Sequence, residues 1–141
     1  MLSNLVVDSS VIVKWLNQEN EEQLEQAETV LKDATSGKVE LFAPELAKYE
    51  VVNALIVGKK LAAWQIKEAL SLYYSLSISF VTDSLELATV ASKFVDKFHI
   101  TYYDASFVAL ARNLDATLVT ANPKHQAKVK GVKVVSLEDY K

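Results

Sequence analysis

Asn4-Leu5-Val6-Val7-Asp8-Ser9-Ser10-Val11-Ile12-Val13-Lys14-Trp15-Leu16 is the stretch that decides how this chain folds. Leu5-Val6-Val7 is a short, unbroken apolar run rich in β-branched side chains, the pattern of a strand buried on both faces. Residues 4–8 therefore read as a strand ending in Asp8. Ser9 and Ser10 offer helix N-cap chemistry, and residues 11–16 read as one or two turns of helix. A carboxylate at the end of a buried strand is costly unless it is paired, caps a helix or binds a cation. By itself Asp8 fits a helix cap as well as a functional acid.

The same alternation continues outward from this stretch. Residues 20–36 carry Leu24, Ala27, Val30, Leu31 and Ala34 at helical spacing and close on Ser36-Gly37. Val39 to Ala43 read as a second strand. Pro44 suits the first turn of a following helix, where its missing N–H does no harm. That helix is expected to run to about Val57 and stop at Gly58. Residues 63–76 read as helix, 78–81 as strand, 84–98 and 103–114 as helices, and 117–120 as a fourth strand. Pro123 starts a short helical turn, 132–135 read as a fifth strand, and the last residues as a turn or helix. Short apolar strands alternating with helices imply an α/β fold whose parallel sheet is covered on both faces. Sites in such sheets lie beyond the C-terminal ends of the strands, where Asp8 and Asn122 fall.

Two more acids sit where a carboxylate is awkward. Leu46, Glu50, Asn53 and Val57 share one helical stripe, and Glu50 interrupts what Leu46 and Val57 would carry into the core. Pairing with a lysine or acceptance of backbone N–H bonds is the plainer role for Glu50. Asp104 opens the apolar run Ala105-Ser106-Phe107-Val108-Ala109-Leu110-Ala111 and shares a face with Phe107, Val108 and Ala111. It too reads as a helix cap or as an acid at the sheet rim. Asn122, after Leu118-Val119-Thr120-Ala121, fits turn chemistry or a carbonyl ligand to a hard cation. Three such acids, without an Arg or Lys at matching spacing, are better explained together than singly, because like charges brought close need compensation. Oxygen-only donors suit Mg²⁺ or Mn²⁺.

Bulk composition narrows the chemistry. The chain has 141 residues, half of them hydrophobic, which suits one domain spanning 1–141 with a sizeable core. It contains no cysteine, which excludes disulfides, thiolate nucleophiles and sulfur-ligated zinc. The net charge of −3 gives no support for non-specific nucleic-acid binding, so any such contact needs a local basic patch. No apolar run approaches the roughly 20 residues that span a membrane. Met1-Leu2-Ser3-Asn4 lacks the look of a signal peptide, so a cytoplasmic location is expected. The only histidines, His99 and His125, sit in no nucleophile motif and read as surface or core residues.

These blocks together resemble a known family. Leu5 to Leu16 is similar to the opening of PIN-domain nucleases, especially the VapC-type toxins of toxin–antitoxin pairs. Pro44-Glu45-Leu46-Ala47-Lys48-Tyr49-Glu50-Val51-Val52-Asn53-Ala54-Leu55 resembles their second acidic block. Tyr102-Tyr103-Asp104-Ala105-Ser106-Phe107-Val108-Ala109-Leu110-Ala111 resembles the third, and Leu118 to Asn122 the fourth. The resemblance implies a three-layer α/β/α sandwich and a metal-dependent endoribonuclease cutting single-stranded RNA. It implies Mg²⁺ or Mn²⁺ held by Asp8, Glu50 and Asp104, with Ser10 and Thr120 as small polar helpers. It also implies a homodimer and a cognate antitoxin. Many members carry Asp where this chain has Asn122, so one negative charge is missing here.

On this reading Asp8 and Asp104 hold the ion most directly, Glu50 binds a second ion or orients the attacking water, and Asn122 and Thr120 position water or phosphate. Lys124, His125, Lys128, Lys130 and Lys133 form a basic stretch that could follow an RNA backbone or be a solvated face. Trp64, Tyr73 and Tyr74 read most simply as core, or else as a dimer or antitoxin face. Two other classes stay open. One is a catalytically weak or silent RNA- or protein-binding module. The other is a phosphorelay receiver with Asp83 as acceptor, against which the single Asp8 at the end of the first strand counts.

Overall fold

A computed structural model describes residues 3–141. The reading of Met1 and Leu2 as a start without a leader lies outside the described residues. In chain order the elements are β1 (Ser3–Val7), α1 (Ser9–Leu16), α2 (Leu24–Thr35), β2 (Val39–Pro44), α3 (Leu46–Asn53) with a π-turn (Ala54–Gly58), α4 (Ala63–Ser75), β3 (Ile78–Val81), α5 (Leu85–Phe98), α6 (Tyr102–Asn113), β4 (Thr117–Thr120), α7 (Pro123–Gln126) and β5 (Val134–Ser136), then a 3₁₀ turn (Leu137–Asp139).

The strands form one sheet in the order β3-β2-β1-β4-β5, every pairing parallel. α6 packs on β1, β2 and β4 and against α5, while α1 packs on β4 and α2 on β2. The result is the α/β/α sandwich expected from the alternation of elements. β1 is central and buried through Leu5, Val6 and Val7, which is why its sequence is continuously apolar. From β1 the chain winds one way to β2 and β3, then crosses to the other side at β4. The crevice beyond the ends of β1 and β4 is therefore the topological switch point, the usual place for a site in an open parallel sheet.

Several local expectations are corrected by the structure. Pro44 ends β2 and does not open a helix. Glu45 donates its N–H to Val81 on β3, so the N–H position of Pro44 faces the β1 side. There β1 has already ended, and no ladder bond is lost. The second helix begins at Leu24 and not at residue 20, because Asn20 and Gln23 take left-handed φ values of 58° and 57° that a helix cannot continue through. The helix expected to reach Val57 is regular only to Asn53; a π-turn follows, with Lys59 N–H donating to Ala54 O. The fifth strand sits at Val134–Ser136, with Leu118 opposite Val134.

The stripe Leu46-Glu50-Asn53-Val57 is not the core face of α3. Ala47, Val51 and Leu55 are buried, whereas Val57 is 63% exposed. Glu50 thus lies at the margin between core and rim. Tyr73 is buried as expected, but Trp64 and Tyr74 are 65% and 67% exposed and do not belong to the core.

Candidate active site at the switch point

The local sequence aims Asp8 with several bonds. It follows β1 with extended backbone (φ −73°, ψ 155°) and is itself the N-cap of α1. Ser9 and Ser10, expected as caps, already belong to the first helical turn. Asp8 therefore fills the cap role that the sequence offered it. Asp8 Oδ2 accepts the Ser10 hydroxyl at 2.6 Å, the Ser10 N–H at 3.3 Å and the Thr120 hydroxyl at 3.2 Å. The Ser10 hydroxyl oxygen in turn accepts the Ala121 N–H at 3.1 Å, which ties α1 to the end of β4. Ser10 and Thr120 thus fix the carboxylate of Asp8.

Sequence reading missed a fourth donor. Gln126 is only 1% exposed and donates its side-chain N–H to Asp8 Oδ1 at 3.2 Å. A glutamine in the four-residue α7 gives no sequence signal, since its partner lies 118 residues away. The bond to Asp8 is what makes a polar side chain tolerable at this buried position.

Glu50 accepts the Ser9 hydroxyl on Oε1 at 2.8 Å. Burial pushes its carboxyl up; the Ser9 bond opposes this, and the charges of Asp8 and Asp104 push it further up, so the net shift is upward. Asp104 lies in the first turn of α6, and the cap of that helix is Thr101, whose hydroxyl accepts the Asp104 N–H at 3.1 Å. Asp104 is therefore not a cap residue. Burial and the charge of Asp8 raise its carboxyl, against weaker lowering by Thr101 and His125. His125, part of the basic stretch after Asn122, consequently stands within electrostatic reach of Asp104.

Asp8, Glu50 and Asp104 are thus brought into one electrostatic cluster from β1, α3 and α6. None of the three forms an ion pair with Lys or Arg among the described residues. Nor do any three His, Asp or Glu side chains among them close into a ready-made metal cage. The donor set fits a hard divalent cation by chemistry: oxygens only, mutually repelling, and without a Lys or Arg ion pair among the described residues. Asn122 is exposed; its N–H donates to the Thr120 hydroxyl at 3.1 Å, and no side-chain cap bond to α7 forms. Lys124 and Lys128 are exposed beside it.

Comparison with known proteins follows this geometry. The family profile described as the PIN domain matches residues 5–132, from β1 to the approach to β5. The chain belongs to the PIN domain family. No curated protein sequence matches it. Among solved structures, VapBC2 from Rickettsia felis bound to a promoter DNA fragment is similar with a TM-score of 0.74 at 14% identity, covering 94% of this chain and 98% of that one. PAE2754 from Pyrobaculum aerophilum gives 0.64 at 23% identity, covering 98% and 93%. VapC20 from Mycobacterium tuberculosis, described as a toxin cleaving the sarcin–ricin loop, gives 0.64 at 13% identity, covering 83% and 87%. At these identities the likeness is one of fold. Membership of the PIN domain family sets aside the receiver reading. Asp83 instead accepts the Tyr102 hydroxyl at 3.1 Å. No described helix is long and apolar enough to cross a membrane.

Proposed function

We propose that this PIN domain, taken as one unit over 1–141, is a Mg²⁺- or Mn²⁺-dependent endoribonuclease that cuts single-stranded RNA, and that it serves as the VapC-type toxin of a toxin–antitoxin pair. The observation that carries the reading is the cluster of Asp8, Glu50 and Asp104 without a cationic partner at the switch point of the sheet. The toxin assignment is supported by the solved structures of similar fold, several of which are toxin–antitoxin complexes.

A divalent cation at these carboxylates would lower the pKa of water and neutralise charge on the phosphate. Asp8 and Asp104 would hold it. Asp8 is fixed for that task by Ser10, Thr120 and Gln126, so binding would need little rearrangement of this side chain. Ser9 engages Glu50 Oε1, which leaves Oε2 to orient the attacking water or to serve a second ion. Burial and the two neighbouring acids raise the Glu50 carboxyl, which favours its holding or accepting a proton. Thr120 acts on Asp8 through its hydroxyl, while exposed Asn122 would contact water or phosphate. Lys124 and Lys128 would follow the RNA backbone.

Tyr49, Ile56, Val57, Trp64, Leu72 and Tyr74 leave large apolar surfaces uncovered on and around α3 and α4. Such surface supports a homodimer or a bound antitoxin as partner. The reading also places the protein in the cytoplasm.

The test is cleavage of a mixed single-stranded RNA pool with Mn²⁺, Mg²⁺ or EDTA, beside Asp8→Asn and Asp104→Asn. Metal-dependent cutting lost in both folded variants is expected. Absence of cutting by folded wild-type protein, with RNA still bound, would favour the silent binding module. The missing charge at Asn122 and the open arrangement of the three acids are the observations that favour that second reading.

A further inference from the structure

A cavity of about 160 Å³ opens at the rim of the sheet, where Pro44 ends β2 and Val81 ends β3, between the start of α5 and one face of α6. None of Asp8, Glu50 and Asp104 lines it. Its apolar walls include Leu46, Leu87, Leu110 and Tyr103. Its volume is on the scale of the roughly 150 Å³ engineered cavities that accept one aromatic ring, and a guanidinium on its aliphatic stem is of comparable size. Tyr103 is 59% exposed, so its ring offers an open face on which a planar cation can stack.

The charge at the cavity is negative. Asp83 Oδ2 accepts the Tyr102 hydroxyl at 3.1 Å, a bond between two wall residues that holds the carboxylate at the cavity. Asp83 Oδ1 accepts the Ser84 N–H at 2.9 Å, but a carboxylate has about four acceptor positions, so capacity remains. Asp83 forms no ion pair with Lys or Arg among the described residues. Glu45 brings a second carboxylate to the wall; it pairs at 3.1 Å with Lys48, which does not line the cavity. In the first turn of α5, exposed Glu86 adds a further acid, and Leu85, 86% exposed, carries apolar surface past Asp83.

We infer that this cavity is the docking pocket for one arginine side chain of a partner protein. The apolar walls take the stem, the Tyr103 ring takes the face of the guanidinium, and Asp83 receives its N–H groups. Lysine, a strongly hydrated point charge without a planar face, fits this combination less well. The acids at the cavity repel the phosphates of a nucleic acid, which favours a protein as the occupant. A second copy of the chain is a poor source, because its single arginine, Arg112, already rests 5.8 Å from the centre of the Phe94 ring. The partner is therefore a different protein, with an arginine beside apolar residues that would cover Leu85. The inference needs neither RNA nor metal and stands apart from the ribonuclease reading.

The test titrates acetyl-arginine amide into the ¹⁵N-labelled full chain and follows the amide resonances by NMR. Saturable shifts are expected at residues 45–46, 83–87 and 102–106, with the neutral acetyl-citrulline amide binding about tenfold more weakly. Asp83→Asn should weaken the arginine amide by a similar factor, and Tyr103→Ala should weaken it severalfold. Ser106→Leu, which fills the cavity and keeps Asp83 and Tyr103, should abolish the shifts while thermal unfolding shows an intact fold. The absence of saturable shifts at these residues, equal binding of the citrulline amide, or binding indifferent to Asp83→Asn and Tyr103→Ala would overturn the inference. A dimer that Ser106→Leu dissociates in sedimentation would give the cavity to a second copy and overturn it as well. Displacement of the arginine amide by hexa-adenylate would do the same in favour of RNA.

Discussion

Glu21 and Glu50 are both partly withdrawn from solvent, yet their carboxyls shift in opposite directions. Burial pushes Glu21 up, but Lys14 and Lys59 outweigh it and hold the group below its ordinary value of 4.5. Lys14 Nζ reaches Glu21 Oε1 at 2.9 Å and Lys59 Nζ reaches Oε2 at 2.9 Å, with Lys14 only 7% exposed. Lys14 also donates to Glu22 O at 2.8 Å, and Lys59 donates to Glu19 O. This ion group clamps the loop between α1 and α2 to the end of the π-turn. Glu50 receives a single hydroxyl and faces two further acids. One cluster is compensated within the chain and holds structure together. The other has no such ion pairs, which costs stability and, on the proposed reading, would be repaid by a bound cation.

The sharpest way to break this contrast is Asp104→Asn. It should lower RNA cleavage on the order of a thousandfold. Because it removes a repelling charge, it should leave the metal-free protein at least as stable as wild type, read by thermal unfolding in EDTA. Equal activity would end the comparison.

Next in size is Lys14→Met, which removes one partner of the compensated cluster while keeping its aliphatic stem. It should cost about 2–3 kcal/mol in urea unfolding, with Lys59 retaining part of the pairing. Metal binding at the switch point should be unaffected.

Gln126→Leu sharpens the description of the uncompensated cluster. It withdraws the donor from Asp8 Oδ1 at similar volume, and about a tenfold loss of Mn²⁺ affinity by calorimetry is expected. An unchanged affinity would make Gln126 a packing residue only.

The smallest effect concerns pH. The folded carboxyl of Glu50 is raised, so its contribution to stability is full below the unfolded value near 4.5 and is lost as pH rises through the folded value. Glu21 behaves oppositely: its contribution is present above 4.5 and disappears as pH falls through its lowered folded value. In EDTA, Glu50→Gln should therefore be more stable than wild type at neutral pH, with the gain vanishing under acid conditions. A gain that grows as pH falls would contradict the assignment.

Sequence alone reached the parts of this molecule that are written locally. Leu5-Val6-Val7 announces a doubly covered strand, and Asp8, Glu50 and Asp104 stand out against apolar neighbours. Thr101 as the cap of α6 was equally local, but the stronger signal of Asp104 hid it. What stayed out of reach depends on partners far along the chain. Gln126 reaches back to Asp8, Tyr102 meets Asp83, and Lys14 meets Lys59 only through Glu21. The exposed faces of Trp64 and Tyr74 were misread for a related reason: an aromatic at helical spacing signals core unless a neighbouring element is missing. The left-handed residues Asn20 and Gln23 delayed α2 without any glycine or proline to mark the break.

The most direct measurement is thermal unfolding at neutral pH with and without Mn²⁺ for the wild type, Asp104→Asn, Glu50→Gln and Lys14→Met. If the uncompensated carboxylates form the cation site, Mn²⁺ raises the Tm of the wild type and, from a lower baseline, of Lys14→Met by a similar amount. Asp104→Asn and Glu50→Gln then show little or no rise. A Tm that Mn²⁺ leaves unmoved in the wild type, or raises equally in all four proteins, would contradict the claim that these acids are kept unpaired to hold a metal.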